Sequence, residues 1–137
     1  MAIAASIATF AVGYIGIKFF TDPTISLATH YLWAIRLGFI LFVIFSFEGF
    51  VMGANMAYTV GATDGAKGIP FLNWSLSHGD LRIAHFIGMH ALQILPFLSF
   101  YLLKNTSLTL IVAASYALLA ALILLRALQG NPIINLS

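Results

Sequence analysis

The sequence predicts an all-α integral membrane bundle of four transmembrane helices, with a structured, partly apolar loop between the second and third. Three observations carry that expectation. Of the 137 residues, 61% are hydrophobic and 7% are charged, whereas a soluble domain carries about a quarter charged residues. The mean hydropathy is +1.02. Four apolar stretches reach the roughly 20 residues that a spanning helix needs. At this length one domain, covering residues 1–137, is expected.

The first span covers about residues 2–20 and ends at Lys18 and the turn Thr21-Asp22-Pro23-Thr24. It lacks the basic start and the cleavage site of a secretory signal, so we expect a retained helix. The second covers about 30–54 and the third about 81–103, opened by Asp80 as an N-cap. The fourth covers about 107–128 and is stopped by Gly130 and Pro132. Four spans put both termini on one side. The short connections at 21–29 and 104–106 make the first and second spans, and the third and fourth, antiparallel neighbours. The connection at 55–79 is longer and carries Tyr58, Ile69, Phe71, Leu72 and Trp74. It is expected to fold back on the bundle, with Trp74 at the membrane interface. Pro96 lies inside the third span, where it removes a backbone hydrogen bond and kinks the helix.

Scarcity of charge excludes several classes of function. With six basic and four acidic residues and a net charge of +2, no patch for nucleic acid or for polyanionic lipid forms. The absence of cysteine excludes disulfides, thiolate metal sites, iron–sulfur clusters and cysteine nucleophiles. Lys18, Arg36 and Lys104 lie toward one surface and Lys67, Arg82 and Arg126 toward the other, so basic residues set no orientation. The expected location is a membrane, the cytoplasmic membrane of a bacterium.

What polar chemistry remains is concentrated in HGDLRIAHFIGMHALQILP, residues 78–96. At about 100° per residue, and with Arg82 at zero, Gln93 falls at about 20°, Phe86 at about 40°, His90 at about 80° and His85 at about −60°. Charged side chains within spans cost about 2.5–3.5 kcal/mol each, so this arc is expected to face the bundle interior. His90 sits about 14 Å deep at about 1.5 Å per residue. On the second span, Glu48 reaches much the same depth as His85, so a contact with Arg82 or His85 is expected.

Glu48, Arg82, His85, His90 and Gln93 therefore form the expected ligand- or cofactor-binding set, with Trp74, His78 and Asp80 as lid and rim. A quinone or another small lipophilic ligand suits a Glu and a His that can exchange protons. Haem b is the alternative cofactor, with His85 or His90 as axial ligand; the two are five apart on one helix and cannot grip one haem together. No catalytic motif for hydrolysis or phosphate binding occurs, so any activity is expected to be redox. A proton-coupled carrier, or a non-catalytic accessory or assembly subunit of a larger complex, fits the small size. For the latter, Gly49/Gly53 and Ala113/Ala117/Ala121 offer small-residue faces for a second copy or another membrane chain.

Overall fold

The structure is a computed structural model that describes residues 2–65 and 68–133. Helix α1 runs Ala2–Thr21, α2 Thr29–Asn55, α3 Leu81–Leu98 and α4 Thr106–Leu128. The four are long and apolar enough to cross a membrane, α3 together with the π-helical turn Ser99–Leu103 that continues it. Lys67, one of the basic residues weighed for orientation, lies outside the described residues.

Successive helices run antiparallel. Arg36 Nε, near the start of α2, donates to the Phe19 carbonyl near the end of α1 at 2.8 Å, while Phe10, midway along α1, meets Phe47 further along α2. Pro96 offers no N–H to the Leu92 carbonyl, and the chain beyond it widens into the π turn, closed by Lys104 N–H on Ser99 O at 3.1 Å. Lys104 then turns left-handed at φ 45°. Asn105 caps α4 through a bond from Leu108 N–H at 3.0 Å.

Helices α2, α3 and α4 form the core, and α1 packs on α2. The core is built from small residues. Ala34, Ala84, Ala91, Ala113, Ala120 and Ala127 are buried, with Leu41, Phe45, Leu81, Ile83, Leu95 and Ile123. Large apolar side chains such as Ile111, Leu118 and Leu122 face outward. That distribution suits helices that associate by close van der Waals approach rather than by hiding bulk from water. At Gly88 a Cβ would fall inside the Phe45 ring, and at Gly38 it would lie 2.9 Å from Leu92 Cα. Tyr116 on α4 donates to the Ile87 carbonyl of α3 at 2.6 Å.

Of the small residues expected at packing faces, Gly49 lies against His85 of α3, Ala113 is buried, and Ala117 and Ala121 are half-buried. Gly53 faces open space.

The connection between α2 and α3 is ordered by a minimal antiparallel ladder, β1 (Thr59–Val60) with β2 (Gly79–Asp80). Gly79 N–H reaches Gly130 O at 2.9 Å, tying the loop to the end of α4. Only glycine fits there, because a Cβ would collide with the Ala127 carbonyl. Trp74 packs edge-on against Phe86 of α3 at 5.5 Å between centroids.

Candidate functional site

The α2–α3 seam places Glu48 and His85 together. Gly49 has no side chain, so the His85 ring lies close to the α2 backbone; a Cβ on Gly49 would sit 3.0 Å from its Cε1. His85 Nδ1 is 2.7 Å from the Phe45 carbonyl and 3.3 Å from Glu48 Oε2. A carbonyl can only accept, so Nδ1 carries a hydrogen and directs it to the nearer oxygen. Glu48 is thus within ion-pair distance yet receives no hydrogen bond of proper geometry at either oxygen. Its side chain is only 5% exposed.

The expected Glu48–Arg82 pair is not formed. Arg82 turns instead to Asp80, two residues away, with Nε on Oδ1 at 2.9 Å and Nη2 on Oδ2 at 2.6 Å. Its Nη2 also reaches the Asn73 carbonyl at 2.6 Å, and the guanidinium lies 3.7 Å over the Tyr58 ring. Asp80 caps α3 as expected, accepting from Arg82 N–H at 3.1 Å, and it also accepts from Ser75 N–H at 2.9 Å. Its side chain is fully enclosed, so it is a buried hub and not a rim residue. His78 bonds Ser77 and Ser75 within the loop.

One helical turn nearer the loop than Glu48 and His85, a cavity of about 330 Å³ is lined by Met52, Gly53, Met56, Ala57, Tyr58, Asp64 and Arg82. Asp64 holds the loop wall by accepting from Thr59 N–H at 2.8 Å and Tyr58 N–H at 3.2 Å. Partial desolvation raises its pKa, but the hydrogen bonds from Thr59 and Tyr58 outweigh it and leave the carboxyl below its ordinary value of 3.8. Trp74 packs on α3 and is not among the residues lining this cavity. Sequence reasoning placed Tyr58 in a loop that folds back but did not put it or Asp64 on a cavity wall, because nothing in a loop's periodicity marks which side chains turn inward. The Arg82 partner was legible in the Asp-x-Arg spacing beside a helix start.

The polar arc of α3 does not face inward as a unit. On the same wheel, five of the six buried residues, Leu81, Ala84, Gly88, Ala91 and Leu95, cluster near about 220°, with Ile83 apart at about 100°. Gln93 is exposed and Phe86 is 44% exposed. His90 is half-buried against its own helix, with Nδ1 on Phe86 O at 2.7 Å and its ring 3.9 Å from that of Phe86. Only His85, at the edge of the arc, reaches the seam. His90 and Gln93 therefore stand apart from the Glu48 site.

Two histidines facing each other across a haem do not occur among the described residues. His30 lies with Tyr31, Phe100, Tyr101 and Lys104 at the far end of the bundle, about 15 Å along the axis from His90 and about 22 Å from His85 at about 1.5 Å per residue. No group of three or more His, Asp or Glu that could hold a metal ion occurs among the described residues.

Fold and site together define a small bundle of membrane-span helices in which a buried glutamate meets a half-buried histidine. No family model matches the chain, and no match was found among curated proteins or solved structures.

Proposed function

We propose that this chain is an integral membrane protein that binds a small lipophilic molecule with a polar head, of the quinone class, at the loop end of the α2–α3 seam. Four span-length helices with small residues inside and large apolar ones outside support the membrane reading. The single observation that carries the ligand reading is the Glu48 carboxyl, enclosed by protein with neither oxygen hydrogen-bonded. Buried polar atoms in native proteins nearly always have a partner, and orphans concentrate where a ligand or proton is handled.

A quinone head has two carbonyl oxygens that accept hydrogen bonds, and it takes up protons on reduction. Glu48 and His85 are groups able to exchange them. The adjoining cavity supplies room, and Met52, one turn above Glu48, is a flexible side chain that can yield to a ligand. The cavity wall also carries the polar side chains of Arg82 and Asp64.

The test titrates decylubiquinone into the detergent-purified protein while following tryptophan quenching, with Glu48→Gln and His85→Ala beside the wild type. Loss of a buried polar contact predicts about tenfold or greater weakening in each. Unchanged affinity in both overturns the assignment. A Soret band that shifts on dithionite would replace the quinone with haem.

A further inference from the structure

We infer that the outer face of α3 is an interface between two copies of this chain, built on Phe86, His90, Gln93 and Phe97. The inference rests on the membrane reading above and uses residues that the ligand site does not.

Gln93 is the thirteenth of the 23 residues in the Leu81–Leu103 span, and His90 lies one turn before it. Both therefore sit near the middle of an apolar segment. Gln93 is exposed and makes no hydrogen bond within the chain among the described residues, while His90 uses only Nδ1, on the Phe86 carbonyl. That bond places the hydrogen on Nδ1 and leaves Nε2 as an acceptor. An amide with two donors and an acceptor, and an imidazole with an open acceptor, would otherwise face hydrocarbon, which offers them nothing.

The spacing says what covers them. Phe86, His90, Gln93 and Phe97 recur at intervals of four, three and four, the seam pattern of two helices packed knobs-into-holes at a shallow left-handed angle. Phe86 and Phe97 are 44% and 59% exposed, and they bracket the polar pair on both sides. The opposite face of α3, with Leu81, Ala84, Gly88, Ala91 and Leu95, already serves the chain's own core. The outer seam is thus a second packing face on one helix.

A second copy is the occupant because the seam is self-complementary. Copies inserted in the same direction relate by a two-fold axis along the membrane normal, which brings residue 93 opposite residue 93. Each Gln93 amide can donate to the carbonyl of the other, and its second N–H can reach His90 Nε2 of the other copy. Lipid tails have no such groups, and a different protein would have to present a matching pair at the same depth.

The absence of cysteine makes the test direct. Single variants Phe97→Cys and, as a control on the exposed face of α4, Leu118→Cys are oxidised with copper phenanthroline in native membranes. Resistance of the protein to alkaline carbonate is scored in the same fractions, so failure of the membrane reading appears separately as released protein. Phe97→Cys should form a disulfide-linked dimer and Leu118→Cys should not. Adding Gln93→Leu to Phe97→Cys should weaken association about tenfold, the scale for losing a reciprocal amide pair within a membrane. Cross-linking of Phe97→Cys no stronger than that of Leu118→Cys overturns the inference and leaves lipid or a different protein on this face. Cross-linking indifferent to Gln93→Leu overturns it as well.

Discussion

Replacing Glu48 with leucine should make the protein more stable while removing its binding site. The Glu48 side chain is 5% exposed, and His85 Nδ1, 3.3 Å away, has given its hydrogen to Phe45 O at 2.7 Å. Each unsatisfied buried oxygen costs about 1–3 kcal/mol, and leucine has no such oxygen to bury. The contact forfeited is a single one of poor geometry, on the order of 0.5 kcal/mol. With both oxygens unsatisfied, the net expectation is a gain of at least about 1.5 kcal/mol for Glu48→Leu. Glu48→Gln keeps the shape, adds donors and should stay within about 1 kcal/mol of wild type. The assay is reversible unfolding in mixed micelles with increasing dodecyl sulfate, read by far-UV circular dichroism, beside the decylubiquinone titration. A stability gain with loss of binding marks a residue kept for function at the expense of the fold. If Glu48→Leu instead loses more than about 1 kcal/mol, the cost of orphaning a buried partner, the carboxyl is a structural fastener of α2 to α3. The functional reading of the seam then fails.

Three further outcomes follow from the same packing. Gly88→Ala drives a methyl into the Phe45 ring and should cost about 3 kcal/mol, the upper range for overpacking; trimming Phe45 to leucine in that background should recover part of it, and no loss at Gly88→Ala would deny the close α2–α3 approach. Asp80→Ala removes the partner of Ser75 N–H and of the Arg82 guanidinium together with the α3 cap, for about 3 kcal/mol, the lower range for breaking a buried pair because Arg82 keeps some exposure; Asp80→Asn, which preserves the cap, should lose less in the same unfolding assay. Asp64 titrates below its ordinary 3.8, so its hold on the loop is fully present above that value and is lost as pH falls through the depressed one; amide protection at Thr59 should hold from pH 7 to 5 and vanish in Asp64→Asn, whereas a loss between pH 6 and 5 would assign the hold to another group.

How far the sequence could be read depended on which signal was local. Helix boundaries came from apolar length and from end signals, and both are written in short stretches: Asp80 before Leu81 and Gly130 after Leu128, whereas the Asn105 cap of α4 was not read. Pro96 marked the point where the helix could not continue unchanged, though not that it would widen into a π turn. The depth match of Glu48 with His85 was also legible, since they lie about two turns and about one turn from the loop.

The orientation of α3 was not legible from polarity, for a physical reason. The expectation that a polar arc faces inward treats polar avoidance of lipid as the dominant force. Against it stands a competing stripe on the same helix, Ala84, Gly88 and Ala91, which lets α3 approach Phe45 and the α2 backbone as bulkier residues could not. Where little hydrophobic force acts between helices, close approach is the larger gain, and it is summed over the whole seam. A single Gln and His facing outward cost less than forfeiting that contact, provided something else satisfies them. The wheel therefore held two faces with opposite demands. Small residues decided which one the chain buries, and the polar residues mark the face we propose for a second copy. If Gly88→Ala, by disfavouring the inner face, also weakened cross-linking at Phe97→Cys, the two faces of α3 would be coupled. If it destabilised the monomer alone, they would act independently, as their separation on the helix predicts.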